Sequence, residues 1–458
     1  MSAHEVDLVV IGTGPGGEAL ANGAASAGLD VVVIEKHLVG GECPYYGCIP
    51  TKMMVRGSDT IAEVRRAPRV AGEATVTPAW SVVARRIDEE ATTGWDDTIA
   101  VERLQQAGAT VHHGIARLAG TGRVVVETAE GETLELSTRR GVVINPGTRP
   151  AVPPIEGLVD TPFWTNRDAV RLTELPGSLV VIGGGPIGCE LGQVFARFGV
   201  RVTIIQHGPR LLPVNEPEAA ELVAQTFAEE GIRVLTAVEV DKAVYADGTY
   251  TLTLNTGEEV TADKVLVAAG RIPNLDDLGL DTVGLDPKAR TVEVDEWLRA
   301  GEKLWAIGDV TGHGAFTHVS MYQQAIALRD ILGQGGQHAQ YHALPHVTFT
   351  DPEVGGVGMT EQAARDAGLR VRTGSTDLTR STRGFTWGPG GHGVIKVVED
   401  ADRGVLVGAT AVGPAGGEIL GFLAVAVHAE VPVVTLRSMI YAYPTFHRAI
   451  EVALADLS

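Results

Sequence analysis

Residues 6 to 35 read VDLVVIGTGPGGEALANGAASAGLDVVVIE, and the order of properties along this stretch decides the fold. An apolar run meets a glycine-rich break, small helix-compatible residues follow, and a second apolar run ends on an acid. The pattern predicts strand, turn, helix, strand. Gly12, Gly14 and Gly17 form a Gly-x-Gly-x-x-Gly run between the strand and the helix, where backbone amides at the helix start can hold a pyrophosphate. Glu35, at the tip of the second strand, is placed to accept hydrogen bonds from an adenosine ribose. One such run alone is weak, because glycine turns are common. Here the plan recurs in residues 178 to 206, SLVVIGGGPIGCELGQVFARFGVRVTIIQ, with Gly183, Gly185 and Gly188 at the glycine positions and Gln206 at the tip. Gly12 to Glu35 and Gly183 to Gln206 share the same separation of 23 positions. A duplicate at fixed spacing favours dinucleotide binding, twice over, against a plain turn.

The two tips differ. An acid there repels a 2′-phosphate, so Gln206, followed by His207, favours NADPH, while its amide can still bond the 2′-hydroxyl of NADH. Arg210 is near enough in sequence to meet a phosphate, or it is simply a solvated loop arginine.

A length of 458 residues fits about three domains, and 44% apolar residues with 57 glycines suit well-packed α/β units. The net charge of −20 argues against nucleic acid, which needs a basic surface. No basic segment precedes the first apolar run, and no apolar stretch is long enough to cross a bilayer, so a cytoplasmic protein without membrane attachment is expected. Strand-like KVLVAAGRIPN (264 to 274) and KLWAIGDVTG (303 to 312) lead to a helical SMYQQAIALRDILG and a linker, QGGQHAQYHALP. Beyond it HVTFTDPEVGGVGMT, VIKVVED and GVLVGATAVG read as strands, and a helix is expected over the final PTFHRAIEVALADL.

Of the three cysteines, two fall in GGECPYYGCIPTK, residues 40 to 52. A structural disulfide fits a reducing compartment poorly. Structural zinc wants four ligands, and no second cysteine pair exists. A redox couple or two unrelated thiols remain. Pro50 suits the first turn of a helix, which places Cys48 at the positive end of a helix dipole, where a thiolate is stabilised. Five helical positions would climb roughly 7.5 Å, too far for a disulfide, so the segment between Cys43 and Cys48 must bend, with Pro44 and Gly47 as candidates. Cys189 sits inside an apolar helix and reads as core.

The segment resembles the redox-active motif of the FAD-dependent pyridine nucleotide-disulfide oxidoreductases, whose members include dihydrolipoamide dehydrogenase, mycothione reductase and mercuric reductase. The likeness covers essentially the whole chain, adding AIGDVTG, similar to the family's second FAD motif with Gly308 and Asp309, then GRIPN at 270 to 274, and FTDPEVGGVGMTE, similar to the start of its dimerisation domain. The resemblance implies an α/β fold with two Rossmann-like domains, for FAD and NAD(P), plus an α+β C-terminal dimerisation domain. The implied division is 1–147 and 267–337 for FAD, 148–266 for NAD(P) and 341–458 for dimerisation. It further implies FAD on the first cradle, Cys48 as the sulfur against the flavin, Cys43 as the exposed sulfur that exchanges with substrate, and Lys52 paired with Glu190. A homodimer with active sites shared between subunits follows.

The chain also departs from the pattern. Relatives acting on dithiols usually carry His-Pro-Thr-x-x-Glu near the C-terminus, and here Tyr443 and Arg448 stand at the outer positions of YPTFHR. Tyrosine titrates near pH 10, so it donates a proton but is a poor base at neutral pH. His447, four positions on, is a substitute if it shares a helix face with Tyr443. Tyrosine here is also a habit of mercuric reductases, yet the chain ends EVALADLS without their terminal cysteine pair. Tyr45 and Tyr46 shape an aromatic acceptor pocket or only pack, and INPGTRP at 144 to 150 reads as neutral variation on the family's turn. The expected function is electron transfer from NADPH, or NADH, through FAD and the cysteine pair to a disulfide or other thiol-reactive small molecule, with no resident metal. The alternatives are a mercuric or other metal ion, dihydrolipoamide, a quinone, and a non-catalytic redox sensor.

Overall fold

The computed structural model describes residues 4–458. The chain forms two compact units. One gathers Met1–Pro50, Arg85–Ala151 and Arg271–Gln340, and the other Thr51–Ala84, Val152–Gly270 and Tyr341–Ser458.

The first unit is built on a seven-stranded sheet. Its central strand, His4–Ile11, runs parallel to Val31–Glu35 on one side and to Thr133–Ile144 on the other. Thr110–Leu118 and Leu304–Ala306 extend the parallel set outward, and Arg123–Thr128 returns antiparallel beside Thr110–Leu118. The apolar run is nearly continuous because both faces are covered. Leu8 and Val10 pack among Leu20, Ala21 and Ala24 of the first helix, while Val9 and Ile11 pack into the opposite core with Ile34, Val124 and Ile144. Side chains alternate between faces with a period of two, so one apolar run serves both. The Pro15–Ser26 helix lies so close to Thr317–Ile331 that a Cβ on Gly16 would sit 2.0 Å from Ser320 Oγ.

The second unit repeats the parallel plan in four strands, ordered Lys264–Val267, Ser178–Ile182, Arg201–Gln206, Arg233–Thr236. A three-stranded antiparallel sheet, Val240–Ala246, Thr249–Leu254 and Glu259–Ala262, belongs to the same unit. Its C-terminal portion is a five-stranded antiparallel sheet with helices, ordered Pro345–Thr348, Glu353–Gly358, Val405–Gly413, Val394–Asp400, Val371–Asp377. Two Rossmann-like halves and an α+β C-terminal part thus make an α/β fold.

Two elements differ from the sequence reading. Val371–Asp377 is an edge strand that its polar residues, VRTGSTD, conceal. The last helix spans only Ala449–Ala455, because Thr445 and Phe446 fold the chain into turns first: Thr445 Oγ1 accepts the Arg448 N–H at 3.2 Å and the Phe446 carbonyl accepts the Ala449 N–H at 2.9 Å. No helix among the described residues is long and apolar enough to cross a membrane.

Candidate active site

The first cradle is backbone that only glycine fits. Gly12 has φ +90°, and a Cβ there would lie 2.3 Å from the Asn145 carbonyl oxygen; at Gly17 one would lie 2.1 Å from the Gly12 oxygen. Gly14 is the N-cap of Pro15–Ser26 and offers no capping side chain, and a helix start of this kind favours an anionic partner. Glu35 is buried and braces the turn: Oε2 accepts from the Thr13 N–H and hydroxyl, each at 2.8 Å, and Oε1 accepts the His37 N–H at 2.8 Å. A carboxylate has about four acceptor sites, and these bonds use three of them.

The second cradle repeats this. Gly183 has φ +115° with a Cβ position 2.3 Å from the Ala268 oxygen, and a Cβ on Gly188 would meet the Gly183 oxygen at 1.9 Å. Gly185 is the N-cap of Pro186–Arg197. Gln206 is buried, and its Oε1 accepts the Gly184 N–H at 2.8 Å, the counterpart of Glu35 on Thr13. His207 is exposed, and Arg210 Nη2 donates to the carbonyls of Pro213 and Asn215 at 3.0 and 3.2 Å.

Asn145, read from sequence as neutral variation, is central to the first cradle. Its backbone oxygen abuts Gly12, and its amide is oriented to donate to the Ile307 carbonyl and accept the Gly17 N–H, each at 3.1 Å. Gly308, at φ +78°, is held against this amide, where a Cβ would lie 2.7 Å away. Asp309 Oδ2 accepts the Thr148 hydroxyl at 2.7 Å, Thr148 Oγ1 accepts Arg271 Nε at 2.6 Å, and Arg271 Nη2 pairs with Glu42 Oε2 at 3.2 Å. The arginine of GRIPN therefore links the second motif to the residue before Cys43.

The cysteine segment is bound to the first cradle. The Gly40 N–H donates to the Thr13 carbonyl at 3.0 Å, and a Cβ on Gly41 would sit 2.8 Å from Gly14 Cα. A short helical turn, Glu42–Tyr45, carries Cys43, the chain bends at Gly47, and Cys48 opens the Cys48–Arg66 helix. Both cysteines are thiols in this structure. Cys43 is hydrogen-bonded to Cys48, and that bond, with burial, pushes its thiol pKa up. Cys48 Sγ also lies 3.4 Å from Thr317 Oγ1. Cys48 is exposed and Cys43 half-buried. Cys189 is buried core, its thiol donating to the Gly184 carbonyl at 3.3 Å.

Lys52 and Glu190, far apart in sequence, meet at 2.7 Å. Glu190 is buried and also accepts the Phe349 N–H at 2.8 Å, while the Lys52 ammonium lies 4.6 Å from the centre of the Phe349 ring. Tyr443 and His447 do not share a helix face, because both precede the last helix. Tyr443 is 66% exposed, donates to Thr382 Oγ1 at 3.2 Å and lies under the Arg448 guanidinium. His447 instead meets Phe422 edge-on and Tyr441 at a tilt, with Nδ1 3.1 Å from Thr445 Oγ1.

Comparison with known proteins agrees with this geometry. Residues 6–326 match the family model of the pyridine nucleotide-disulphide oxidoreductases, and residues 344–454 match the dimerisation domain of the same family. A dihydrolipoyl dehydrogenase of Halobacterium salinarum is 34% identical, the match covering 97% of this chain and 94% of that protein. A mercuric reductase of Shigella flexneri is 33% identical over 99% of this chain and 81% of its own length. Among solved structures, a Cu(II) complex of the HOCl-induced flavoprotein disulfide reductase RclA from Escherichia coli superimposes with a TM-score of 0.86 at 26% identity, covering 99% of both chains. LpdA from Mycobacterium tuberculosis gives 0.87 at 26% identity, covering 98% of this chain and 99% of that one. With both cradles, the cysteine segment and the C-terminal sheet in place, the chain belongs to the pyridine nucleotide-disulphide oxidoreductases, FAD-dependent enzymes that couple NAD(P)H to a disulfide.

Proposed function

We propose that the protein uses NADPH to reduce a disulfide-containing or other thiol-reactive small molecule through Cys43 and Cys48, in a homodimer whose subunits share their active sites. The observation that carries this reading is the hydrogen-bonded thiol pair on a segment tied to the first glycine cradle.

The first cradle fits FAD on its own geometry, since the positions where a Cβ would collide at Gly12, Gly17 and Gly308 require bare backbone beside a helix start. Gly12, Gly14 and Gly17 would hold its pyrophosphate, Glu35 its ribose, and Gly308 with Asp309 its polyol chain. When bound, FAD supplies two-electron chemistry between nicotinamide and thiols. Gly183, Gly185, Gly188 and Gln206 would hold the nicotinamide cofactor, and the absence of an acid at Gln206 supports NADPH. Lys52 is a fixed positive charge that Glu190 orients. Toward a disulfide acceptor, the Cys43 sulfur attacks one sulfur, forming a mixed disulfide and releasing one thiol on which the Cys43 proton ends; Cys48 then displaces the second thiol and closes the Cys43–Cys48 bond. Tyr443 of the other subunit serves as proton donor to the leaving thiol, while His447, half-buried beside Phe422 and Tyr441, is the weaker candidate. The division into FAD, NAD(P) and dimerisation domains, with the boundaries expected above, accompanies this reading.

A metal-ion acceptor is the second reading, favoured by the mercuric reductase relatives and by the Cu(II) complex of RclA. NADPH consumption measured with low-molecular-weight disulfides, Hg(II), Cu(II) and a quinone separates the readings. Turnover of a disulfide that Cys48→Ser abolishes supports the first. Quinone turnover undiminished in Cys48→Ser, with none for disulfides, would contradict it.

A further inference from the structure

We propose that the loop Thr92–Asp97 is a brace that positions Cys43 against Cys48, with Trp95 and Tyr45 as its working side chains. The brace deepens the reading above, since it presupposes a pair that cycles between dithiol and disulfide.

Tyr45 lies between the two cysteines and was read from sequence as pocket-forming or packing. It is 6% exposed and is held at both ends by one loop. The Trp95 indole N–H donates to the Tyr45 carbonyl at 3.3 Å, and the Tyr45 hydroxyl donates to the Asp96 carbonyl at 3.4 Å. Burial, then the charges of Asp97, Glu18 and Asp96, push the phenol up to about 12, so it remains a donor across the working pH range. The next residue of the loop secures the approach to the segment: Asp97 Oδ2 accepts the Val39 N–H at 2.7 Å and lies 2.8 Å from His113 Nε2.

The loop is strained and tightly anchored. Thr93, Gly94 and Trp95 have φ of 49°, 71° and 57°, three successive residues in the left-handed region. For a β-branched threonine and a tryptophan this is uncommon and costs free energy, which a fold tolerates where surrounding contacts over-determine it and which clusters at functional sites. Those contacts are present. Thr92 is fully buried and its hydroxyl donates to the Ile87 carbonyl at 3.0 Å; the Gly94 N–H donates to the Asp88 carbonyl at 2.8 Å; at the end of the loop, Asp97 is the N-cap of Thr98–Gln106. A rigid loop thus grips the residue two positions after Cys43 by its backbone and its side chain. A disulfide tolerates only a narrow range of Cα separations, so whatever fixes Cys43 sets the effective concentration of one sulfur at the other. Loosening it makes the disulfide easier to reduce.

The test uses the flavin-loaded enzyme and its Trp95→Phe and Tyr45→Phe variants, each equilibrated anaerobically with glutathione and glutathione disulfide at set ratios. Two glutathione thiols supply two electrons and two protons, becoming glutathione disulfide as the protein disulfide becomes two thiols. Alkylation and mass spectrometry then count the thiols at Cys43 and Cys48, and thermal unfolding is measured in parallel. Each lost neutral hydrogen bond should shift the equilibrium about three- to tenfold toward the dithiol. Tyr45→Phe, which removes a single oxygen, keeps the test open if Trp95→Phe does not fold. A midpoint of unfolding that falls while the thiol equilibrium stays within twofold of wild type overturns the brace and leaves the function intact. A wild-type pair that never forms a disulfide overturns both.

Discussion

Glu35 and Gln206 turn the same trick in the two cradles: each buries its head and accepts a backbone N–H from inside the glycine turn, from Thr13 and Gly184. Replacing Gln206 with glutamate keeps that acceptor and adds a charge, so the turn should survive while a 2′-phosphate is repelled. The ratio of kcat/KM for NADPH to that for NADH should fall about tenfold or more in Gln206→Glu; a wild type that already prefers NADH would show that the tip was misread. Tyr443→Phe should leave reduction of the cysteine pair by NADPH nearly unchanged and slow turnover of a disulfide acceptor by about 10²-fold, the low end for one positioned acid. An unaltered steady-state rate in that variant would remove Tyr443 from the mechanism. At Cys43 the hydrogen bond to Cys48 and burial raise the thiol pKa, so in the dithiol state the folded protein binds that proton more tightly than the unfolded chain does. Its contribution to stability is present below the ordinary thiol range near pH 8.5 and is lost as pH rises beyond it. Denaturant midpoints of the dithiol protein should therefore fall between about pH 8 and 10 more steeply than those of Cys43→Ser.

Elements were legible where their periodicity was clean. The two strand–turn–helix–strand units and the helix opening at Cys48 follow from apolar runs, glycines and Pro50, and the structure contains them as Pro15–Ser26, Pro186–Arg197 and Cys48–Arg66. What escaped the sequence depends on contacts distant along the chain. Asn145 gives no local signal of its place under Gly12 and Gly308, and the Thr92–Asp97 loop discloses its hold on Tyr45 only once folded. Val371–Asp377 lacks an apolar run, and its one glycine, Gly374, is there to admit the last helix: a Cβ there would lie 2.1 Å from the Ala453 carbonyl oxygen. Gly374→Val should accordingly cost about 1–3 kcal/mol, read from urea unfolding, by forcing Ala449–Ala455 off the sheet. The last helix was read too long because PTFHR is helix-compatible by composition, whereas the hydroxyl of Thr445 and the carbonyl of Phe446 form turns instead.

At the scale of the molecule, the duplicated cradle was the strongest sequence signal, and together with the C-terminal sheet it made the family legible. The acceptor was not, because it is chosen by surfaces that no motif encodes, and because the resemblance puts Tyr443 where relatives on dithiols carry a histidine. The central claim is that electrons from NAD(P)H reach Cys43 and Cys48. The flavin-loaded protein, fully oxidised, is mixed anaerobically with one equivalent of NADPH, quenched with an alkylating agent and analysed by mass spectrometry. The account predicts that Cys43 and Cys48 become labelled together while Cys189, buried in its helix, does not, and that a second sample treated without NADPH shows neither. If NADPH bleaches the flavin and both cysteines stay unlabelled, or if they are labelled equally without it, the pair is not on the electron path and the account is contradicted.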